Sequence, residues 1–540
     1  MVCERLLLTT AAAIRQALVD ALASGQSAKT PVSPFSRAIL WLPWIVLAAF
    51  CIFWVARWPA FPLMLDPYYH LQVAREVAQA GGVIAHQWWE AAPKGRLHLY
   101  PPLLHLVLAG LLRSAVPPIT AIRLVTLLVP SVLLGTIFLS SRRLFGRSVG
   151  LATLLTALVP FSWLVHMSDA LASGLGSIFL LWLLVALYER RWIAVACLFV
   201  LIGYTHLGLP WVALATIGCC CAVRALPLER SSAKAIALGV FTASPWMVRV
   251  ALALPTLRVV ARAENSNIEI VPALLVLAAI GAWRCLVERC GSKVLIALWF
   301  GSCVLIYPYM FRWVSGEGVL PVILLAGYGT EFLIRCVQAR GLNQRIICGS
   351  ALLLAAVVML SPTVSIGSKR AIIWWDSTPF HLINWPLTVA KTLEQPLYSE
   401  RIKELAQMTA SLTAPREILW SNAPYAGGLV AALAGRSTSS AMFYEVAGSS
   451  TQDPVADAHL VVWFKIQPLA DTPLLSDLIS RYRLVLVADQ SLAMILRNPG
   501  ATQLAREPQA VVPWWPAFVL SCVVLGLAAY DLWREPTRVA

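Results

Sequence analysis

Apolar segments separated by short polar loops occupy most of the first 366 residues, and one more lies near the C terminus. A helix needs about 20 apolar residues to cross a bilayer, and many of these segments reach or approach that length. The pattern predicts twelve membrane spans: 38–58, 121–141, 149–166, 171–188, 192–209, 210–224, 234–252, 270–283, 294–309, 319–334, 346–364 and 511–532. We therefore predict a polytopic α-helical membrane protein.

The apolar segment 103–116 is too short to be counted among these spans. As a helix it would reach about 21 Å, against about 30 Å for the hydrocarbon core. If it does not cross, the basic loops around Arg142, Arg190, Arg284 and Arg335 all lie on the cytoplasmic side together with the N terminus, as the positive-inside rule requires. We therefore interpret 103–116 as a helix on the outer surface.

The polar stretches between the spans define the predicted domains. In the long polar region, segments 417–420, 459–464 and 483–488 have the pattern of buried strands with helices between them, which indicates a small α/β domain. The predicted parts are a cytoplasmic amphipathic segment and linker at 1–37, a transmembrane domain at 38–366 with its first outer loop at 60–120, an extracytoplasmic α/β domain at 367–510, and a final transmembrane helix with a short tail at 511–540.

Composition and charge agree with a membrane protein. The chain is 59% hydrophobic and 13% charged, with a formal charge of +15. Because the basic residues fall in the predicted cytoplasmic loops, the charge follows from membrane topology and we expect no nucleic-acid partner. None of the 12 cysteines lies in 367–510, which argues against a disulfide-bonded outer domain and against a zinc cluster.

Asp66 stands at the point where the first apolar segment gives way to a polar one. Pro67 suits the start of a helix, and Gly81 and Gly82 suit its end, so a simple helix N-cap would explain the aspartate. However, His70 lies four residues later on the same helical face. A partly desolvated carboxylate is costly unless it binds a metal or takes part in chemistry.

The sequence around Asp66 resembles a known family. "DPYYHLQVAREVAQAGG" followed by "QWWEAAPKGRLHLYPPL" resembles the first outer loop of the catalytic subunit of archaeal and bacterial oligosaccharyltransferases, which are GT-C glycosyltransferases. The resemblance covers roughly 40 residues. It implies a GT-C-like fold, a polyprenyl-linked sugar donor and a catalytic role for Asp66.

Two further acidic residues match family positions. "HMSDALASG" supplies Asp169 where the family usually has two acidic residues, and "SNIEIVP" supplies Glu269 in a mobile outer loop of the family. The resemblance implies that Glu269 is catalytic with Asp66, and that both bind a divalent metal together with Asp169. Three carboxylates would suit Mn²⁺ or Mg²⁺. A helix cap would explain Asp169 equally well, and a favourable helix dipole would explain Glu269.

Basic residues on the same side could bind the donor phosphate. Arg312 resembles the family arginine that contacts the donor's pyrophosphate, and a guanidinium pairs well with phosphate oxygens; snorkelling at the interface is the alternative. His70, Lys94 and Arg96, with His98 nearby, could extend this anion site, although basic loops are more often simply solvated.

The outer domain departs from the family. The family motif W-W-D-Y-G binds the hydroxyl of the acceptor sequon, and alignment on Arg436 places Tyr425 and Gly427 within that motif without its two tryptophans and aspartate. These three residues are the acceptor-binding candidates. The literal "WWD" at 374–376 is too far from Arg436 and is better explained as interfacial aromatic residues.

Our hypothesis is a glycosyltransferase that moves a sugar or oligosaccharide from a polyprenyl phosphate or pyrophosphate carrier to an acceptor outside the cytoplasm. The acceptor could be a protein, a lipid or a glycan, and we expect that the chain can act as a monomer in the inner cell membrane. A transporter or flippase of lipid-linked sugars is one alternative, but the acidic residues lie at span ends and not near the bilayer midplane. A non-catalytic relative is another.

Overall fold

The computed structural model describes most of the chain, and its boundaries fix which predictions can be compared with it. The described residues are 34–169, 171–225, 229–253, 268–288, 293–306, 316–339, 344–366, 371–375, 377–378, 381, 399–442, 453–465 and 474–534. The predicted amphipathic segment before residue 34, Arg312 and Asp376 therefore lie outside the described residues.

Helices dominate the first part of the chain. They are α1 (Pro34–Ala56), α2 (Asp66–Ala80), α3 (Leu103–Arg113), α4 (Pro118–Phe145), α5 (Arg147–Ala157), α6 (Phe161–Asp169), α7 (Leu171–Tyr188), α8 (Trp192–Gly203), α9 (Leu209–Ala222), α10 (Arg230–Ala253), α11 (Pro272–Val287), α12 (Lys293–Ile306), α13 (Val319–Ala339) and α14 (Gln344–Met359). Short strands lie between them: β1 (Gly82–Ile84), β2 (His86–Gln87), β3 (Arg96–Leu97), β4 (Ile268–Ile270), β5 (Thr363–Ile366) and β6 (Ala371–Trp374).

Helices and strands alternate in the last part of the chain. In order they are α15 (Glu400–Leu412), β7 (Ile418–Ser421), α16 (Pro424–Ala434), β8 (Ser437–Thr438), β9 (Leu460–Phe464), α17 (Leu475–Tyr482), β10 (Val485–Asp489), β11 (Ala493–Arg497), β12 (Ala510–Pro513) and α18 (Trp514–Trp533). The strands predicted near 417–420, 459–464 and 483–488 are thus present. β7 and β9 are buried as predicted, but β10 is mostly exposed because it lies at the edge of its sheet.

The chain is an integral membrane protein. Among the described residues, five helices are long and apolar enough to cross a membrane, or six if α5 and α6 form one broken span. Shorter apolar helices coincide with the predicted spans at 38–58, 192–209, 210–224 and 270–283. The count of twelve spans and the domain boundaries stay predictions.

The predicted span 149–166 is two helices and not one. α5 and α6 are separated by a short break and meet at 87°. Pro160 lies in that break and its carbonyl accepts the Leu164 N–H, as expected where proline ends one helix and begins another. The bend carries the chain to Asp169, the last residue of α6.

Local signals correctly predicted both ends of α2, with one correction at its start. Asp66 is the first helical residue, and Leu65 occupies the N-cap position that the sequence pattern suggested for Asp66. At the other end Gly81 adopts φ 72°, the left-handed conformation that favours glycine. Asp66 therefore lies in the first turn, where the helix dipole favours a negative charge.

The sheet of the predicted outer domain, here named the outer sheet, has five strands in the order β10-β11-β9-β7-β8. β7 pairs in parallel with β8 and β9, whereas β11 runs antiparallel to β9 and β10. α15 and α16 contribute buried residues to the core on one face of this sheet. A separate ladder joins β1 to β12, so the first outer loop is directly connected to the segment that precedes α18.

Candidate active site

Asp169 is the most deeply buried acidic residue at the site. Its Oδ2 accepts hydrogen bonds of 2.7 Å from the backbone N–H groups of Leu63 and Met64. Its Oδ1 is also buried and has no hydrogen-bond partner among the described residues. Two N–H donors stabilise a carboxylate charge, and they attach the loop just before α2 to the end of α6.

Asp66 lies near Asp169, although the two residues are 103 positions apart in the sequence. Met64, whose N–H group binds Asp169, lies only two residues before Asp66, so the two carboxylates lie in the same part of the structure. Asp66 is only partly buried, in contrast to Asp169. The structure thus brings together two of the three predicted acidic residues, one enclosed by protein and one accessible.

Three buried histidines follow Asp66 on the side of the first outer loop. His70 Nδ1 lies 2.9 Å from His105 Nε2, and the rings of His98 and His105 have centroids 5.1 Å apart. Burial lowers the pKa of His70 to about 3, with a smaller effect from His206. Burial also lowers the pKa of His98 to about 3, with smaller effects from Arg249, Arg96 and His70. Both rings are therefore neutral at neutral pH, so His70 would bring no positive charge to a donor phosphate, and its role in phosphate binding stays a prediction.

From these buried histidines we predict that acidification lowers the free energy of unfolding. The pKa of an exposed histidine is 6.5, whereas the pKa of His70 and of His98 is about 3 in the folded protein, so below pH 6.5 the unfolded chain binds more protons. Going from pH 7 to pH 5 should cost about 2 kcal/mol per histidine. Thermal unfolding at the two pH values, compared with a His98→Gln variant, tests this. The unfolding midpoint of this variant should depend less on pH than that of the wild type. His86→Gln, at a half-buried position in the same loop, should change this slope of midpoint against pH by a smaller amount. An equal slope for wild type and His98→Gln would contradict the assignment.

The first outer loop is held by a buried ion pair. Arg96 Nη2 lies 2.5 Å from Glu90 Oε2, and both side chains are almost fully buried. The other oxygen of Glu90 accepts the Met442 N–H at 2.6 Å, so the pair also reaches the outer domain. Lys94 is exposed in the same loop. The guanidinium of Arg96 is thus engaged within the protein, and the role of Arg96 and Lys94 in phosphate binding stays a prediction.

The remaining donor-site residues are only partly described. Glu269 lies in β4, whose backbone pairs with Ser365 of β5, and Arg312 lies outside the described residues. Within the parts of the chain that the structure describes, no group of three or more His, Cys, Asp or Glu is arranged to hold a metal ion. Of the three predicted metal ligands, Asp66 and Asp169 have described side chains, and one oxygen of Asp169 has no hydrogen-bond partner among the described residues.

The acceptor candidates lie around α16. Tyr425 is 52% exposed at the start of this helix. Gly427 packs so closely on β7 that a Cβ there would lie 2.3 Å from Ser421 Cβ, which explains a glycine at this position. Arg436 donates to Thr413 Oγ1 and to the carbonyls of Ala410 and Thr413. Arg436 therefore binds the end of α15, and its predicted contact with an acceptor remains to be tested.

Sequence patterns did not identify the polar cluster of Ser173, His206 and Glu317. These side chains are buried and within 3.2 Å of one another. They come from three distant parts of the chain, so no motif or spacing could have indicated their contact. Only the position of each at the end of an apolar segment was visible in the sequence.

Comparison with known proteins identifies the fold. No protein-family model matches the chain, and no curated protein matches it. Among solved structures, apo ArnT from Cupriavidus metallidurans matches 86% of this chain and 100% of its own, with 14% identity and a TM-score of 0.53. The chain has a GT-C fold. The GT-C resemblance predicted from the first outer loop is thereby confirmed at the level of the fold.

Two other GT-C structures match less closely. ArnT bound to undecaprenyl phosphate has 12% identity and a TM-score of 0.49, with 85% of this chain and 98% of that chain covered. The Archaeoglobus fulgidus oligosaccharyltransferase with zinc and sulfate has 11% identity and a TM-score of 0.47, with 74% and 64% covered. The assignment of the GT-C fold rests on the apo ArnT structure.

Proposed function

We propose that the chain is a glycosyltransferase that moves a sugar or oligosaccharide from a polyprenyl phosphate or pyrophosphate carrier to an acceptor on the extracytoplasmic face. One observation supports this most directly: in a GT-C fold, Asp66 and Asp169 meet from distant parts of the chain, one buried and one accessible. A mere helix cap does not require a second carboxylate beside it.

In the proposed reaction, the bond between the anomeric carbon and the carrier's phosphate oxygen breaks as a bond from the acceptor to that carbon forms. Asp66, the accessible carboxylate, orients the acceptor nucleophile and accepts its proton. Asp169 accepts the N–H groups of Leu63 and Met64 and so fixes the loop that precedes Asp66. Arg312 and His70 are our proposed donor-phosphate contacts, and Glu269 our proposed third acidic residue.

Two carboxylates among the described residues suit a divalent cation that keeps several of its waters. Mg²⁺ usually keeps several waters and is held by one or two carboxylates together with substrate phosphate, which matches Asp66 and the unengaged Oδ1 of Asp169. We propose that these two residues, with Glu269, would hold Mg²⁺ or Mn²⁺, and that the bound ion would supply neutralising charge for the departing phosphate.

The finer topology belongs to the same proposal. We propose twelve spans in the inner cell membrane, a cytoplasmic N terminus, and the catalytic face and the 367–510 domain outside. Because the sequon-binding motif is altered, the acceptor is a protein, a lipid or a glycan, contacted at Tyr425, Gly427 and Arg436.

A reconstituted transfer assay tests the proposal. The full chain in liposomes would be given a panel of undecaprenyl phosphate- and undecaprenyl pyrophosphate-linked radiolabelled sugars, with a bacterial membrane extract as the acceptor pool. We expect radiolabel covalently attached to one acceptor fraction, with equal release of free carrier phosphate. Accumulation of the intact donor in sealed vesicles without any covalent product would instead indicate a transporter and would contradict the proposal.

A further inference from the structure

A buried polar cluster begins four residues after Asp169, at Ser173. Ser173 Oγ lies 2.7 Å from Glu317 Oε1 and 3.1 Å from His206 Nε2, and His206 Nε2 lies 3.2 Å from the same glutamate oxygen. The three residues are at most 6% exposed. Ser173 is in the first turn of α7, His206 is in the turn between α8 and α9, and Glu317 precedes α13. The cluster therefore joins three separate helix ends.

The backbone determines which nitrogen of His206 carries the proton. Nδ1 accepts the N–H groups of Gly208 and Leu209 at 3.0 and 3.1 Å. It must therefore be unprotonated, which leaves the hydrogen on Nε2. The imidazole thus donates to the Glu317 carboxylate, and the Ser173 hydroxyl donates to the same carboxylate. Glu317 Oε1 is the common acceptor of the cluster.

The cluster also connects the helices that carry the two aspartates. Ser173 lies four residues after Asp169, at the start of the next helix. The turn that holds His206 is bound to α3, because the carbonyl of Tyr204 accepts the Leu103 N–H. His105 of α3 in turn contacts His70, which lies four residues after Asp66. In addition, Trp163 Nε1 of α6 donates to the carbonyl of Gly316, next to Glu317. The segment around Glu317 thus contacts α6 and α7 directly, and the turn that holds His206 reaches α2 through α3.

We propose that Glu317, held by Ser173 and His206, is a positioning residue of the transferase site that fixes Asp169 relative to Asp66. This inference rests on the proposed glycosyl transfer and assigns it a further residue. The two carboxylates come from segments far apart in the sequence, so their separation depends on the hydrogen bonds that Asp169 accepts from Leu63 and Met64 and on how the surrounding helix ends pack. The cluster joins the start of α7 to the turn that is bound to α3, and joins both to the segment before α13, through side-chain hydrogen bonds.

Positioning differs measurably from a general contribution to stability. Misplacing a reacting group by about 1 Å can cost 10²-fold in rate, whereas donor binding along the lipid chain would be unaffected. Loss of the cluster should therefore lower kcat and leave KM for the donor nearly unchanged. Because Gln retains the Oε1 acceptor, Glu317→Gln should preserve the geometry that Glu317→Ala removes.

The helix that follows Glu317 offers a matched control. Glu331, in α13, is as deeply buried as Glu317 and pairs with Arg284 at 2.7 Å. It lies 14 residues further along, or about 21 Å in a helix. Glu331→Ala should lower thermal stability at least as much as Glu317→Ala while leaving kcat unchanged.

The test measures donor turnover by the full chain in liposomes, with the undecaprenyl-linked sugar that gives product in the transfer assay. We expect kcat to fall about 10- to 100-fold for Glu317→Ala and about 10-fold for Ser173→Ala, and to recover in Glu317→Gln. Ser173→Ala should have no further effect in the Glu317→Ala background. If Glu317→Ala does not fold, the kcat values of Ser173→Ala and Glu317→Gln test the proposal instead.

The outcomes separate the two proposals. An active wild type with an unchanged kcat in Glu317→Ala or Ser173→Ala would overturn the positioning role and leave the transferase proposal intact. A kcat loss in Glu331→Ala equal to that in Glu317→Ala would also overturn it, because general destabilisation would then explain both. A wild type without transfer for any donor would overturn the proposed function, and the positioning role with it.

Discussion

Asp66→Asn is expected to abolish most sugar transfer while leaving the protein folded. Asn keeps the size and the position in the first turn of α2 but cannot accept a proton. A positioned general base typically contributes about 10²- to 10⁴-fold, so we expect a loss of kcat in that range. Because Asp66 is partly exposed, thermal stability should change little. The measurement is initial-rate release of undecaprenyl phosphate or pyrophosphate from the labelled donor.

Asp477 provides a matched control for Asp66. It also lies in the first turn of a helix, α17, where the helix dipole favours its negative charge in the same way. Asp477→Asn should keep wild-type kcat, since α17 belongs to the outer sheet region and not to the site of Asp66 and Asp169. Equal rates for wild type, Asp66→Asn and Asp477→Asn would show that Asp66 serves only the helix.

Glu90→Ala should lower the free energy of unfolding strongly, and by more than the removal of an exposed charge would lower it. It leaves the buried Arg96 without its carboxylate and removes the acceptor for the Met442 N–H. Breaking a buried ion pair by removing one partner typically costs about 3–5 kcal/mol. We expect a clearly lower thermal unfolding midpoint and faster proteolysis within the first outer loop.

An exposed ion pair gives the comparison for Glu90. Arg416 and Glu507 are 3.0 Å apart, but their side chains are 49% and 75% exposed. Such pairs contribute about 0–1 kcal/mol, so Glu507→Ala should unfold close to the wild type. If Glu90→Ala were as stable as Glu507→Ala, the ion pair would not be what attaches the loop to the outer domain.

Local signals in the sequence predicted local structure well. The proline at 67 and the glycine at 81 indicated both ends of α2, because these residues act through their own backbone geometry. The bend between α5 and α6 was missed because hydropathy alone does not detect a break at Pro160. β11 was also missed: "AMILR" is a short apolar run, and such runs do not distinguish a strand from a helix.

Long-range contacts divide into those the topology could predict and those it could not. Asp66 and Asp169 were expected on one side of the membrane, since the positions of basic loops fix which span ends share a face. Nothing in the sequence indicated that Arg96 pairs with Glu90, because a loop can bring any two of its charges together. The contact between Ser173, His206 and Glu317 depends on helix packing, which no single segment encodes.

A structure of the full chain with bound undecaprenyl phosphate and Mn²⁺ would test the central claim most directly. We predict that the phosphate lies beside Asp66 and Asp169, with the cation on the Oδ1 atom of Asp169. A phosphate bound at another face, with both aspartates surrounded only by protein groups, would contradict the account.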